Sequence, residues 1–391
     1  MSDTDNFQNE ILLSICVAIY NIKEEFLREC IESITADMSD KAELILGDDC
    51  SNEETAKICR EYAAKNRLIR YIRLQKNGGV SYIRNVMTDG ARGEYLTFID
   101  GDDIAVNGYS GALCSAFDSS DREYDIVMFR WQRFKNAVPN IKAEDVKITA
   151  IPQNAAQSFS QACLTGAPPN AKDCGICDST PSSVCIKAYR REFLIENNLK
   201  FKVGLKKSQD VEFNTRAFFV CKSLGYMARV LYLYRNNPES VTNRYNPNIK
   251  GILYDCIGCD RENLKTLYQN AAEIEQEWQK YKLIHYIMNF FELGVFHRDN
   301  PKSPKERKDD FIGFVNTEPF KTFFKTFDFS AYHWNERRLI LKLAANERFR
   351  ILNFMYKNPI TFKIYGKTKR ITDRIKLQIK RGWVYAKSGN G

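Results

Sequence analysis

The chain has 391 residues, of which 44% are hydrophobic and 27% are charged, and its formal net charge is +9. This length and composition are ample for a large core. No run approaches eighteen consecutive apolar residues, so we expect no membrane-spanning helix. Residues 1–10 are polar, lack an apolar signal core and predict a disordered lead, so we expect a cytoplasmic protein with reduced thiols.

Strands and helices alternate at short intervals over the first hundred residues. Short apolar runs predict buried strands, and apolar residues at helical spacing predict the helices between them. Such βαβ units form a mostly parallel sheet covered by helices, so we predict an α/β fold. The predicted strands are 11–21, 42–49, 69–74 and 94–100, and the predicted helices are 23–35, 52–65 and 79–91.

The pattern becomes less regular after residue 105. Residues 135–180 have little periodicity and predict a loop-rich insertion. Beyond residue 246 apolar residues recur at helical spacing, which predicts a helical C-terminal region over 246–391. Before the insertion, a helix is predicted at 105–125 and a strand at 125–134. Between the insertion and residue 246, the predicted elements are a strand and helix within 183–201, a helix at 208–225 and a strand at 226–237.

Three of the predicted strands end in polar side chains. The first ends at Tyr20, the second at Asp48 and Asp49, and the fourth at Asp100, with Asp102 just beyond. Ligands of open α/β sheets bind beyond the carboxyl ends of the strands, so neighbouring strands would bring these groups to one crevice. Clustered carboxylates suit Mn²⁺ or Mg²⁺, which would neutralise a diphosphate. A solvated acidic turn is the alternative.

Four segments, in this order and spacing, resemble the signatures of family 2 glycosyltransferases with the GT-A fold. They are "SICVAIYNIKEEFLRECIESI", "ELILGDDCSNEET", "NGGVSYIRN" and "GEYLTFIDGDD", and a looser similarity continues to about residue 243. The resemblance implies a GT-A domain over residues 11–245. It also implies a metal-dependent, inverting transfer of sugar from a nucleotide diphosphate, most often UDP. The acceptor would be a hydroxyl of a glycan or lipid-linked glycan in the synthesis of a cell-surface polysaccharide such as capsule or lipopolysaccharide.

The resemblance further implies roles for individual residues. Asp210, in "SQDVEF", matches the catalytic carboxylate that takes the proton from the acceptor hydroxyl, and Gln209 stands where many relatives have Glu. The donor nucleotide is matched by Ala18, Tyr20, Asp48, Asp49, Asn77, Gly78, Gly79, Arg84 and Asp100. The metal, Mn²⁺ or Mg²⁺, is matched by Asp100, Asp102 and Asp103, and the acceptor or pyrophosphate by Gln209, Arg235, Ser240 and Thr242.

The segment 361–387 holds nine basic residues and one acidic residue. Ile371, Ile375, Ile379 and Trp383 recur every four residues, which predicts a basic amphipathic helix suited to an anionic membrane surface. This favours a location at the inner face of the plasma membrane. A helix packed on its own protein is the alternative. No nucleic-acid-binding fold accompanies the segment, so no nucleic acid is expected as a partner.

Two other classes of protein fit parts of the pattern. A sugar nucleotidyltransferase would have a glycine-rich phosphate loop after the first strand, where this chain has "IYNIKEEF". A non-catalytic binding subunit with the GT-A fold predicts loss of the acids, yet Asp49, Asp100, Asp102 and Asp210 are all present.

Two CxxC pairs occur, Cys174 with Cys177 and Cys256 with Cys259. Together they supply enough sulfurs for a zinc site, but compact zinc modules space their pairs much more closely. We therefore expect free thiols.

Overall fold

A computed structural model describes residues 11–135, 137–144, 146–169, 181–237, 244–329 and 335–358. Several features predicted above lie outside these residues. They are the lead 1–10, the basic segment 361–387, the Cys174 and Cys177 pair, and Ser240 and Thr242.

Nine strands form one mixed sheet in the described residues. Its order is β3-β2-β1-β4-β8-β6-β9-β5, and β7 pairs with β9. The strands β3, β2, β1 and β4 run parallel to one another, whereas β8 is antiparallel to both β4 and β6. The bounds are β1 Leu13–Ile19, β2 Ala42–Asp48, β3 Ile69–Arg73, β4 Tyr95–Asp100, β5 Ile104–Ala105, β6 Ile126–Phe134, β7 Thr149–Ile151, β8 Lys187–Arg190 and β9 Leu224–Arg235.

Helices cover this sheet. The residues of β2 are all buried, and those of β1 are buried except for the half-buried Ala18, as expected for parallel strands with both faces covered. Helix α1 buries Leu27, Cys30, Ile31 and Ile34, the i, i+3, i+4, i+7 stripe of an amphipathic helix. The helices are α1 Glu24–Thr35, α2 Glu53–Lys65, α3 Val80–Gly90, α4 Tyr109–Asp118, α5 Gln153–Thr165, α6 Arg191–Glu196 and α7 Gln209–Val220. The α/β prediction is confirmed.

The segment 135–180 contains regular structure that its sequence did not predict. Strand β7 and the thirteen-residue helix α5 both lie in it. The buried face of α5 includes Ala155, Ala156 and Ala162, whose small side chains give a weak apolar pattern. Its packing against α7 and the helix Ala271–Trp278, rather than its own periodicity, therefore stabilises the helix.

The chain divides into two compact units. The first comprises Met1–Pro238 and Tyr254–Lys282, and the second comprises Glu239–Leu253 and Leu283–Gly391. The described residues after 246 are helical, which confirms the predicted helical C-terminal region. Its elements are α8 Ile249–Leu267, α9 Ala271–Trp278, a π-helical turn Gln279–Leu283, α10 Ile284–Phe290, a π-helical turn Phe291–Val295, α11 Pro304–Val315, α12 Phe320–Thr326, α13 Asn335–Ala345 and α14 Phe349–Lys357.

Aromatic rings dominate the core of the second unit. Phe314 stacks on Phe290 and on Phe320, with ring centroids 3.8 and 3.9 Å apart. Phe291 and Phe311 are fully buried beside them. None of the helices in the described part of the chain is both long and apolar enough to cross a membrane. Cys256 and Cys259 lie in α8 as buried free thiols.

Candidate active site

The carboxyl ends of β2, β1 and β4 lie side by side. In the sheet register Ile19 pairs with Asp48, and Ala18 pairs with Asp100. Tyr20 follows β1 and is 50% exposed. The donor residues that the sequence predicts at three strand ends therefore lie at one edge of the sheet.

Asp49 holds the glycine loop in front of α3. Its buried carboxylate accepts hydrogen bonds from the Asn77 side-chain amide (2.9 Å) and from the backbone N–H groups of Gly78 (2.6 Å) and Gly79 (2.8 Å). Gly79 has φ +83°, a conformation that favours glycine, and α3 begins at the next residue. The contact of Asp49 with a nucleotide stays a prediction, whereas its contact with the loop is observed.

Asp48 lies deeper than Asp49. It accepts hydrogen bonds from the backbone N–H of Ser51 (2.7 Å) and from the hydroxyl of Tyr71 (2.6 Å). Its side chain is fully buried and lies 3.5 Å from the guanidinium of Arg73. Through these contacts Asp48 stabilises the turn after β2.

The turn at the end of β4 carries Asp100, Asp102 and Asp103, and we call it the acidic turn. Asp103 differs from the other two acids because it is buried. Its carboxylate accepts hydrogen bonds from the Tyr232 hydroxyl and from the backbone N–H of Arg235 (2.7 Å). Burial and the nearby charge of Asp100 raise its pKa to about 8. Tyr232 is a partner that no sequence motif indicated. Asp103 thus joins the acidic turn to β9.

Asp100 and Asp102 are the acids of this turn that remain accessible. The Asp100 side chain is 42% exposed, and Asp102 is half-buried. Burial and the charge of Asp100 raise the pKa of Asp102 above its usual range. Carboxylates that disfavour each other's charge fit a divalent cation, which would relieve that repulsion. In the described residues no group of three His, Cys, Asp or Glu side chains is arranged to hold a metal ion.

Arg84 bridges the acidic turn and the predicted catalytic acid. Its guanidinium donates to Asp210 Oδ1 at 2.5 Å and to Asp100 Oδ1 at 2.8 Å. The side chain is 4% exposed and lies over the ring of Phe201. Burial alone would lower the pKa of Arg84, but the charges of Asp210 and Asp100 raise it, so the guanidinium stays positive. The sequence placed Arg84 near the donor but did not indicate this bridge.

Asp210 lies in the first turn of α7 and is partly exposed. Its second oxygen accepts a hydrogen bond from the backbone N–H of Val184 at 3.2 Å. Gln209, the first residue of the helix, is also partly exposed. The preceding residue, Ser208, has φ +61°, which turns the chain into the helix.

Two side chains hold the segment 182–184, whose backbone donates a hydrogen bond to Asp210. The Asn214 amide donates to the carbonyl of Ser182 at 2.9 Å, and the Lys187 ammonium donates to the carbonyl of Ser183. Lys187 is fully buried, which lowers its pKa to about 8. A buried lysine in β8 carried no signal in the sequence.

Arg235 is already engaged by protein groups. Its Nε donates to the carbonyl of Asp102 at 2.8 Å, and a terminal nitrogen donates to Glu29 at 2.5 Å. The guanidinium also lies against the rings of Phe26 and Phe134, 4.4 and 4.8 Å from their centroids. Its contact with acceptor or pyrophosphate stays a prediction, while its support of the acidic turn is observed.

Comparisons with known proteins give a family match and a fold. Residues 14–163 match the model of the family described as "Glycosyl transferase family 2". The chain is 30% identical to the uncharacterized glycosyltransferase EpsJ of Bacillus subtilis over 59% of its own length and 63% of EpsJ. It is 39% identical to the minor teichoic acid biosynthesis protein GgaB of Bacillus subtilis over 29% of its length and 13% of GgaB. The chain thus spans just under two thirds of EpsJ.

A solved structure has the same fold. The crystal structure of S. aureus TarS 1-349 aligns with a TM-score of 0.56 at 18% identity, over 89% of this chain and 92% of that chain. A further structure of the same TarS fragment is a complex with UDP-GlcNAc. The predicted GT-A fold is confirmed, and residues 14–163 of this chain match the model of glycosyltransferase family 2.

Proposed function

We propose that this chain transfers a sugar from a UDP-sugar to a hydroxyl group of a glycan or lipid-linked glycan, with inversion at the anomeric carbon. The family 2 domain supports sugar transfer, and the UDP-GlcNAc complex of TarS supports a UDP-sugar as donor. The similarity to GgaB, which is named for minor teichoic acid biosynthesis, supports a role in cell-surface polysaccharide synthesis.

The Arg84 bridge is the observation that carries this proposal. Two nitrogens of one guanidinium contact Asp100 and Asp210, so the bonded oxygens of these carboxylates lie within roughly 8 Å of each other, which is two hydrogen-bond lengths plus the width of the guanidinium. An inverting transfer needs a leaving phosphate on one side of the sugar ring and an attacking hydroxyl on the other. Acids at this separation can serve the two sides of a single bound sugar.

The residues of the chain would divide the reaction between them. Asp210 accepts the proton of the acceptor hydroxyl as that oxygen forms a bond to the anomeric carbon. The bond from this carbon to the diphosphate breaks on the opposite face, and its electron pair leaves with UDP. Arg84 holds Asp210 in place, and the N–H of Val184 keeps its second oxygen oriented.

Asp100 and Asp102 are the residues that would hold Mn²⁺ or Mg²⁺. A divalent cation there neutralises the charge that develops on the leaving diphosphate. Asp103 would contribute by fixing the turn, because its carboxylate is already used by Tyr232 and Arg235. Work on a lipid-linked acceptor would place the protein at the cytoplasmic face of a membrane.

Thermal unfolding with nucleotides tests the donor and metal sites. We expect UDP to raise the melting temperature in the presence of Mn²⁺ and to have a much smaller effect after chelation, because a ligand that binds the folded state stabilises it. GDP should stabilise less than UDP. Asp102→Asn should abolish the Mn²⁺-dependent part. Asp89→Asn is the matched control, since Asp89 is exposed and pairs with Lys200.

Each outcome separates the candidate functions. Stabilisation by UDP that is the same with and without metal would contradict the metal site. UDP and metal binding without release of UDP from any UDP-sugar, over a panel of glycan and lipid-linked acceptors, would favour a non-catalytic subunit. Formation of a nucleotide sugar from UTP and a sugar phosphate would favour a nucleotidyltransferase.

A further inference from the structure

The inward face of α14 is fixed by aromatic packing. Phe349 is 5% exposed and Leu352 is fully buried. The ring of Tyr356 stacks on the ring of Phe296 with centroids 4.7 Å apart. These three contacts span both turns of the helix, so they determine which of its sides faces away from the core of the second unit.

The outward face of α14 is apolar at its centre. Ile351 and Phe354 are 49% and 59% exposed, and they lie three residues apart, which places them next to each other on a helix. Only seven large apolar side chains in the described residues are 44% or more exposed, and two of them form this pair. The pair is therefore a local concentration of apolar surface that has no partner in the described part of the chain.

Basic side chains flank this apolar pair. Arg348, Arg350 and Lys357 are all exposed. At about 100° per residue, Arg350 and Lys357 lie on one side of the pair and Arg348 lies on the other. No acidic residue occurs from Arg348 to Asn358. The surface is thus an apolar strip between two basic edges.

The charge of the chain is concentrated from this point onward. Residues 348–391 hold twelve basic residues and a single acidic one, Asp373, while the whole chain has a net charge of only +9. The first 347 residues therefore carry a small negative excess. The net positive charge of the chain therefore comes from the sequence that begins at Arg348.

The basic side chains beside the apolar strip limit which partner can cover it. The segment after α14 is itself basic, and a second copy would bring the same basic surface, so both would be repelled by Arg348, Arg350 and Lys357. A nucleic acid would satisfy the charges but offers no apolar medium for Ile351. We propose that α14 docks on an anionic lipid bilayer, with Ile351 and Phe354 among the acyl chains and the basic edges on the headgroups. This surface does not depend on the sugar-transfer chemistry.

Flotation of the full chain with vesicles tests the proposal. We expect binding to vesicles of phosphatidylcholine with phosphatidylglycerol and little binding to phosphatidylcholine alone. Ile351→Ser with Phe354→Ser should lower the partition coefficient about tenfold, because two apolar side chains no longer leave water. The matched control is Ile195→Ser with Val203→Ser, which removes equally exposed apolar groups from the first unit and should leave binding unchanged.

A second measurement tests whether α14 itself enters the bilayer. The variant Phe354→Trp should keep binding, and brominated lipids should quench its fluorescence more than that of the wild type. Three results would overturn the proposal: equal binding to both kinds of vesicle, a double-serine variant that binds like the wild type, or no added quenching in Phe354→Trp. Loss of a dimer in the double-serine variant without loss of vesicle binding would assign the strip to a second copy instead.

Discussion

Arg84 and Lys187 are buried cationic side chains near Asp210, and their surroundings stabilise them in different ways. Arg84 faces two carboxylates and stays charged, whereas Lys187 donates to a backbone carbonyl and has a lowered pKa. The forked guanidinium suits two acceptors at once, and the ammonium group more easily gives up its proton when desolvated. The arginine therefore holds Asp100 and Asp210 together, and the lysine holds the segment around Val184.

Lys187 makes stability depend on pH. Burial lowers its pKa to about 8 from the ordinary 10.5, so between these values the unfolded chain binds more protons than the folded chain. The free energy of unfolding then rises with pH across this window, and below it the full cost of a buried charge is present. Lys187→Met lacks this contribution. We expect the stability of the wild type relative to this variant to rise by up to about 3 kcal/mol between pH 8 and 10.5.

Urea unfolding of both proteins at several pH values measures this difference. Lys200→Met is a suitable control, because Lys200 is exposed and pairs with Asp89 at the surface. A difference between wild type and Lys187→Met that stays flat with pH would show that the lysine is not desolvated.

Asp210→Asn should separate transfer from donor binding. The amide cannot accept the acceptor proton, so we expect the rate of UDP release with acceptor to fall by about 10²–10⁴. The stabilisation by UDP and Mn²⁺ should remain, because Asp100 and Asp102 are intact. The variant also removes one negative charge beside the buried Arg84, so its melting temperature should be recorded alongside. Transfer at the wild-type rate would mean that another group is the base.

Sequence motifs identify site residues only where their neighbours along the chain carry the pattern. Asp100 and Asp102 follow an apolar strand, and Asp210 opens a helix, so their segments are recognisable. The contact between Arg84 and Asp210 joins positions 126 residues apart, and no local pattern reports it. Tyr232 and Lys187 lie in strands whose sequences read as ordinary strand segments.

At the scale of elements, hydrogen bonds from the glycine loop before α3 to Asp49 organise the edge of the sheet at which β2 ends. The first four strands were predictable because buried parallel strands are continuous apolar runs. The glycine loop before α3 was recognisable as a motif, but the three hydrogen bonds that tie it to Asp49 depend on how β2 and the loop meet in space. Helix α5 was missed because packing, rather than periodicity, stabilises it.

Gly79→Ala should strain this loop. Its φ of +83° is costly for alanine, so we expect a loss of about 1 kcal/mol in the free energy of unfolding and weaker stabilisation by UDP. The chain offers a matched control in Gly111, which lies in α4 with open space around its Cα. Gly111→Ala should instead stabilise the protein by up to about 1 kcal/mol. Equal effects at both positions would exclude backbone strain as the cause.

At the scale of the whole molecule, charge and burial are distributed unevenly. The net positive charge arises from the last 44 residues, and the acidic groups of the candidate site lie between Asp48 and Asp210. Helical periodicity predicted the helices after residue 246 but does not say which core each one joins. Trp278 and Asp260, for example, hydrogen-bond at 2.8 Å within the first compact unit.

Most of the cysteine thiols in the described residues lie in the interior of the protein. Nine of the ten cysteines in the described residues are buried, and Cys50 is partly exposed. Burial raises the pKa of thiols such as Cys163, to about 12, which keeps them unreactive. In a Cys174→Ser, Cys177→Ser variant we expect one thiol to react with Ellman's reagent before unfolding and the other nine only after it. Several fast thiols in the native protein would contradict the described burial.

The Arg84 bridge bears on how substitutions in this site would combine. Asp100 and Asp210 share one cation, so removing either acid changes the electrostatic surroundings of the other through Arg84. Losses measured for the two single variants will therefore not add in the double variant. A mutational scan would record strong epistasis between the two positions, and relatives that have exchanged one acid would be expected to have compensated at the other or at the arginine.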